Sequence, residues 1–549
     1  MKLVSVNIER SAGSGGLLNG LDLSLRNAES VDVRKFQPIC LIGPNGAGKS
    51  QFLQLIAEFF QAAWHACSPL EERRELDPHS AFSIQYFLYT KSDSAPLLVQ
   101  VSRAVAEKGI APIEVKSFDG ESWNDHVVGE PLTAELLPRR IVAYTSGDNE
   151  TLSLPFFASR VEYAEEVHTQ ALPSNVKKAI DPKEPRLMLI DYSTHLEVLV
   201  ANLLLGTHEQ RDYLLNSVEL KDLRSVRCVI QLAHKPVRSG SSSARKSSAR
   251  KGVLLTKELE EYIENLQRCS TTWSYEPDRE VYIFDLWVDC EIRKAFGCFF
   301  KSAFNLYRAL HKLALLNDLA ISRPARQRFE NDVKNRRFAS RLPEPPDQDK
   351  VFRFEQVTFY PSVGAQISES DNSPVDYVSL SDGEHQLIQM LGMFAMVSEP
   401  NVLFLLDEPE SHFNPRWRVE FLSKLLETPT HTGKRSSEAP SASQEVLITT
   451  HAPFLPSDMP REQVLIFERD DDDKVSPRWP DIQTFGASYE GILESCFKIS
   501  PPLSGLPRRF IDDLMNSNNT KDIEDGLTQL GSSVEKILLA DHLDNLKES

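Results

Sequence analysis

The run Gly43-Pro44-Asn45-Gly46-Ala47-Gly48-Lys49-Ser50 constrains this chain more than any other feature, because a glycine loop closed by Lys-Ser works only between a strand and a helix. Both neighbours are legible. Pro38 to Ile42 reads as an apolar strand, and from Ser50 to about His65 the residues Phe52, Leu53, Leu55, Ile56, Phe59, Phe60 and Ala63 recur at helical spacing. The glycines let the backbone curl until several amides and the helix N-terminus face one anion. Lys49 then neutralises phosphate charge, and the Ser50 hydroxyl is placed to ligate Mg²⁺. An incidental glycine turn does not account for Lys-Ser in register. The candidate nucleotide-binding residues are therefore Gly43, Pro44, Asn45, Gly46, Ala47, Gly48, Lys49, Ser50 and Gln51.

A second acidic motif supplies what a phosphate loop lacks. Val402 to Pro409 reads VLFLLDEP, an apolar strand presenting Asp407 and Glu408 at the end where α/β sheets hold ligands. Asp407 is a candidate metal ligand beside Ser50, and Glu408 a candidate base for the water that attacks a phosphoryl group. Adjacent acids also cap helices, so the pair takes its meaning from the phosphate loop. Upstream, Leu380-Ser381-Asp382-Gly383-Glu384-His385-Gln386 precedes an apolar helix, and Ser381 with Glu384 forms a good capping box in its own right. Downstream, the strand Leu447-Ile448-Thr449-Thr450 ends in His451.

Taken together these segments resemble the ABC-type ATPases. LSDGEHQ is similar to their signature, with Asp382 where the first glycine usually stands; Glu410 to Pro415 resembles the D-loop, and His451 the switch histidine. The resemblance implies ATP and Mg²⁺ as cofactors, with Lys49, Glu408 and His451 as catalytic residues. It also implies that Ser381, Gly383 and Glu384 meet the γ-phosphate held by a second copy, so that complete sites form in a head-to-head homodimer. For the family's Q-loop glutamine the candidates are Asn149, in Ser146 to Glu150, and Gln85.

The long insertion places the chain nearer the SMC/RecF-like branch. GPNGAGKS, YTSGDNETLSLPF (Tyr144 to Phe156), LMLIDYSTHLEVLVANLLLG (Leu187 to Gly206), LSDGEHQ and FLLDEPESHFNP are similar to the restriction-system-associated and PtuA-type ATPases of bacterial anti-phage systems, Septu and retron-associated versions included. That resemblance runs to about His451. It implies a separately encoded, PtuB-like HNH nuclease as partner, and in retron forms a reverse transcriptase with its RNA–DNA product. The sequence shows no HNH-type ββα metal motif and, after His451, no Toprim-like acidic set, so any cutting is expected on another chain.

The expected fold is α/β: an ABC-type P-loop ATPase head, a RecA-like mixed sheet with helices, split by a largely helical insertion and followed by a helical tail. The expected units are residues 1–150, with the phosphate loop; 151–350, the insertion; 351–490, with signature, acidic strand and His451; and 491–549, the tail. Leu187 to Leu205, Thr256 to Arg268 and Lys301 to Leu319 read as helical and Glu280 to Val288 as a strand, while Thr428 to Gln444 reads as a surface loop. The run Asp470 to Asp473 is read as an exposed turn rather than a metal site.

Composition narrows the partners. A net charge of −18 excludes a protein that coats DNA over its whole surface. The basic segment Arg238 to Lys251 (RSGSSSARKSSARK) reads as a solvated loop rather than a nucleic-acid arm. DNA stays open as a ligand under the rival reading, a RecF/SMC-like repair ATPase, as does a slow ATP-bound scaffold under a third. The seven cysteines show no ligand spacing, no apolar run is long enough to span a bilayer, and MKLVSVNI is not a cleavable signal, so a cytoplasmic protein without a membrane partner is expected.

Overall fold

The computed structural model describes residues 1–90, 95–146, 150–170, 181–191, 194–232, 253, 256–277, 280–336, 345–362, 373–430, 433–435, 440–470 and 472–548. Its centre is a seven-stranded sheet in the order Val475–Arg478, Val464–Arg469, Ile39–Ile42, Glu445–Thr449, Val402–Asp407, Arg140–Thr145, Leu187–Ile190. All neighbours run parallel except the edge hairpin Val464–Arg469 with Val475–Arg478. Asp407 pairs with Thr449 on one side and Thr145 on the other, so the strand ends are level. Everything that follows those ends gathers along one carboxyl-terminal edge.

Side chains alternate across a strand, and here both faces are apolar. Ile39, Leu41, Leu403, Leu405 and Leu447 enter one core, while Cys40, Ile42, Phe404, Leu406 and Ile448 enter the other. In the first core the helix Lys49–Cys67 lies between the parallel sheet and a six-stranded antiparallel sheet, ordered Leu21–Ser24, Lys2–Arg10, Ala81–Leu88, Leu97–Arg103, Glu114–Phe118, Trp123–His126. Phe59 stacks on Phe82 with ring centroids 4.1 Å apart, fixing the helix to that sheet. In the second core, His195–Leu205 packs on Asp382–Met396, with Asn202 Nδ2 donating to the Gly392 carbonyl at 3.0 Å. Below them lies a further antiparallel sheet, ordered Thr272–Glu276, Val281–Trp287, Leu220–Gln231, Phe352–Pro361, Val375–Asp376.

Two readings of the sequence are corrected. Leu187 to Leu205 is not one helix: Leu187–Ile190 is the last strand of the parallel sheet, and the helix begins only at His195. Among the described residues the span 151–350 holds much more helix than strand, with Lys257–Cys269, Cys290–Phe300 and Ala303–Leu315 among its helices, alongside four strands. The described part of Thr428 to Gln444 is not a surface loop, because Arg435 is fully buried, donating to Gln444 Oε1 and the Phe394 carbonyl. The segment 491–549 carries helices Gly505–Met515, Thr520–Gln529 and Val534–Glu548, joined by a small core of Leu514, Ile523, Leu539 and Leu543. No helix among the described residues is long and apolar enough to cross a membrane.

One buried acid pins the edge strand. The carboxyl of Glu72 accepts from the amides of Arg186 at 3.0 Å and Leu187 at 3.2 Å, while burial pushes its pKa up to about 7 from an ordinary 4.5. A raised folded-state pKa leaves stability intact below the unfolded value and removes it as pH rises through the folded one. Glu72→Gln is therefore expected to gain stability relative to the parent between about pH 5 and about pH 8. Paired urea melts across that range check it, and a difference that stays flat or runs the other way would refute it.

Candidate active site

The phosphate loop leaves the strand Ile39–Ile42 and turns into the helix Lys49–Cys67 through three glycines with positive φ, Gly43 at 132°, Gly46 at 77° and Gly48 at 98°. These glycines are required. A Cβ on Gly43 would stand 2.0 Å from the Phe467 carbonyl oxygen, and one on Gly48 would press on Leu18 and Val475. Arg469, from the neighbouring strand, donates to the Gly46 carbonyl through Nη2 at 2.7 Å, holding the outer rim. Pro44, Asn45 and Gly46 are exposed, whereas Ala47, Gly48 and Lys49 are buried and Ser50 and Gln51 are half-buried.

Lys49 folds back over its own loop, donating to the carbonyls of Gly43 at 2.9 Å and Pro44 at 3.1 Å. Burial draws its pKa down to about 8, with Glu408 and Asp407 opposing the shift. Ser50 Oγ donates to Asp407 Oδ1 at 2.9 Å, so the two candidate metal ligands already face each other. Asp407 is buried, and that burial raises its carboxyl above the usual range against the hydrogen bonds from Thr449 and Ser50. A hydroxyl and a carboxylate with an unfavourably buried charge form a donor set that suits a hard divalent cation, so the residues fit Mg²⁺.

Glu408 sits one residue beyond the strand in left-handed backbone, φ 48°, which a non-glycine residue adopts only when its surroundings hold it. Its amide donates to the Thr449 hydroxyl at 3.1 Å and to the Thr449 carbonyl at 3.2 Å. The side chain meets His451, Nε2 to Oε1 2.9 Å, and this hydrogen bond holds the Glu408 carboxyl below its ordinary range. Acid and histidine arrive from adjacent strands at the sheet edge that carries the phosphate loop. The positive φ gave no signal in the sequence.

The LSDGEHQ segment is placed differently. Ser381 caps Asp382–Met396, and its amide and hydroxyl both donate to Glu384 Oε2 at 2.7 Å, so the capping box is real. These residues line a cleft of about 630 Å³ with Glu219, His412, Asn414, Arg416 and Trp417. Gly383 is needed there, because a Cβ would lie 2.8 Å from the His412 carbonyl. No hydrogen bond found for Ser381 or Glu384 among the described residues reaches residues 43–51.

Three links escaped the sequence reading. Gln386 Nε2 donates to the Ser146 carbonyl at 2.8 Å, Ser146 Oγ to Ser411 Oγ at 3.1 Å, and Ser411 Oγ to the Glu408 carbonyl at 2.7 Å. The helix after Ser381 is thus wired to the backbone of Glu408; no local pattern announces such a chain. Of the Q-loop candidates, Asn149 lies outside the described residues, and Gln85 bonds Gln100 at 3.1 Å inside the antiparallel sheet, away from this edge. Arg238 to Lys251 also lies outside them. In the acidic run, Asp470 accepts from the amides of Asp472 and Lys474, as a turn does.

Residues 299–458 match the family described as AAA domain, putative AbiEii toxin, Type IV TA system. The matched span includes Ser381, Asp407, Glu408 and His451; the phosphate loop precedes it. No curated protein matches the chain. The α/β core, with strand, phosphate loop and acidic strand in these positions, is consistent with a P-loop ATPase domain.

Proposed function

We propose that the chain binds and hydrolyses ATP with Mg²⁺ in composite sites formed by two copies head to head, and that it serves an anti-phage complex by controlling a separately encoded HNH nuclease. The observation carrying the ATPase reading is the meeting of Lys49, Ser50–Asp407 and Glu408–His451 at one sheet edge. Lys49 is placed to neutralise charge on the β- and γ-phosphates once it releases the loop carbonyls. Ser50 and Asp407 are the residues that would hold Mg²⁺, which when bound supplies a Lewis acid for the phosphate oxygens. Glu408, kept ionised by His451, can orient and deprotonate the attacking water. His451 can then donate to charge developing on the transferred group.

Pairing is supported by the surface around Ser381. Val378, three residues before Ser381, is 81% exposed, so an apolar side chain precedes the capped helix end. A second copy, presenting its phosphate loop, is the occupant that explains both the exposed apolar side chain and the helix N-terminus. The match to the AbiEii-like family supports the defence role; the PtuB-like nuclease partner rests on the motif resemblance to PtuA-type ATPases alone, and a reverse transcriptase with its RNA–DNA product belongs to the retron version of the proposal.

Complementation tests the composite site. Lys49→Ala should lose nucleotide binding and turnover, and Ser381→Arg should keep binding but lose pairing in its own homodimer and turnover. Mixed one to one, the two dead variants should recover up to roughly half of parental activity, because neither pairs with itself and each mixed pair has one of its two sites intact. A mixture as inactive as its components, or full turnover by a protein that stays monomeric with ATP, would overturn the head-to-head arrangement.

A further inference from the structure

Glu410 is a buried acid that the proposed chemistry does not use. It lies two residues beyond Glu408, is 4% exposed, and its Oε1 accepts a hydrogen bond from Thr450 Oγ1. Its Oε2 has no hydrogen-bond partner among the described residues. Burial pushes its carboxyl up to about 7, with the bond from Thr450 pulling the other way. A carboxyl held at such a cost is ordinarily replaced by an apolar side chain unless its bond does something a methyl cannot.

Thr450 shows what that is. Its hydroxyl donates to Glu410 and accepts from the Ala452 amide at 2.9 Å, so the carboxyl fixes a rotor that in turn fixes the backbone on the far side of His451. Glu410 is itself immobilised. Its carbonyl accepts from the Phe413 amide at 3.0 Å, and Arg418 grips the same loop through the carbonyls of Ser411 at 2.9 Å and Phe413 at 3.0 Å. Beyond the bonds of the Glu408 amide to Thr449, two side-chain links join the acidic loop to the histidine turn: Glu408 to His451 on the exposed side and Glu410 to Thr450 on the buried side.

We propose that Glu410 is a positioning residue for ATP hydrolysis: through Thr450 it locks the turn carrying His451 to the loop carrying Glu408, so that base and histidine move as one body. This rests on the ATPase reading above. Since Gln retains an acceptor at the Oε1 position and Ala does not, the bond rather than the charge is what matters, and Gln should rescue.

Steady-state ATP turnover decides it, with folding of each variant followed by thermal melting. Glu410→Ala is expected to lose tenfold or more in kcat with KM little changed, Thr450→Val to lose as much, and the double variant no more than either, because both remove one link. Glu410→Gln should stay within about threefold of the parent. Losses that multiply in the double variant, or a folded Glu410→Ala enzyme with parental kcat, would overturn the inference. Should Glu410→Ala fail to fold, Thr450→Val alone carries the test, and parental kcat there is equally fatal. A parent protein without Lys49-dependent turnover would instead sink the ATPase reading itself.

Discussion

Glu408→Gln is expected to lower ATP turnover by about 10²–10⁴-fold while nucleotide binding survives, because the change removes the proposed general base and little else. The amide is nearly isosteric, so it can keep a contact with His451 at the 2.9 Å position, and the left-handed backbone at φ 48° is not disturbed. Lys49, Ser50 and Asp407 remain to grip phosphate and metal. The proposed pair should consequently persist with ATP instead of dissolving as it is consumed. Single-turnover hydrolysis and size-exclusion chromatography with ATP measure both halves, and turnover within about threefold of the parent would show that the water is activated elsewhere.

Glu445→Ala should cost about 3–5 kcal/mol of stability, far from any nucleotide contact, because it removes one partner of a buried ion pair and strands the other. Arg26 reaches Glu445 with both terminal nitrogens, at 2.6 and 3.0 Å, and the Glu445 side chain is wholly inaccessible. The same carboxylate accepts from the Leu3 amide at 2.8 Å. Lys2, buried alongside and drawn down to about 7 by that burial, depends on Glu445 for its favourable charge interaction. Urea midpoints for the parent and Glu445→Ala give the difference, with Glu445→Gln expected between them because it keeps an acceptor for the Leu3 amide. A loss below about 1 kcal/mol would mean the pair is no stronger than a surface ion pair.

The phosphate loop, acidic strand, capping box and terminal histidine were legible because each is a short local pattern whose chemistry fixes its residues. What failed did so for physical reasons. Leu187 to Gly206 is apolar almost throughout, and an apolar run cannot by periodicity separate a buried strand from a helix. Leu220–Gln231 was missed because a bulge between Leu223 and Ser225 interrupts the alternation that Val226, Cys228 and Ile230 resume. Thr428 to Gln444 looks like a loop by composition, yet Arg435 lies over the rings of Phe394 at 4.9 Å and Phe36 at 5.6 Å, contacts made by residues remote in sequence. The wiring of Gln386 through Ser146 and Ser411 to Glu408 likewise joins segments that only the fold brings together.

The strand Glu445–Thr449 stands between the phosphate-loop strand and the acidic strand, hydrogen-bonded to both. Its first residue is bolted to Arg26 beside the antiparallel sheet, and two residues past its last comes His451. Extended backbone flanked on both sides cannot slip by one position without turning every side chain to the wrong face. The segment is about 16 Å long, so a continuous extended strand ties the position of His451 to the Arg26 anchor beside the outer sheet.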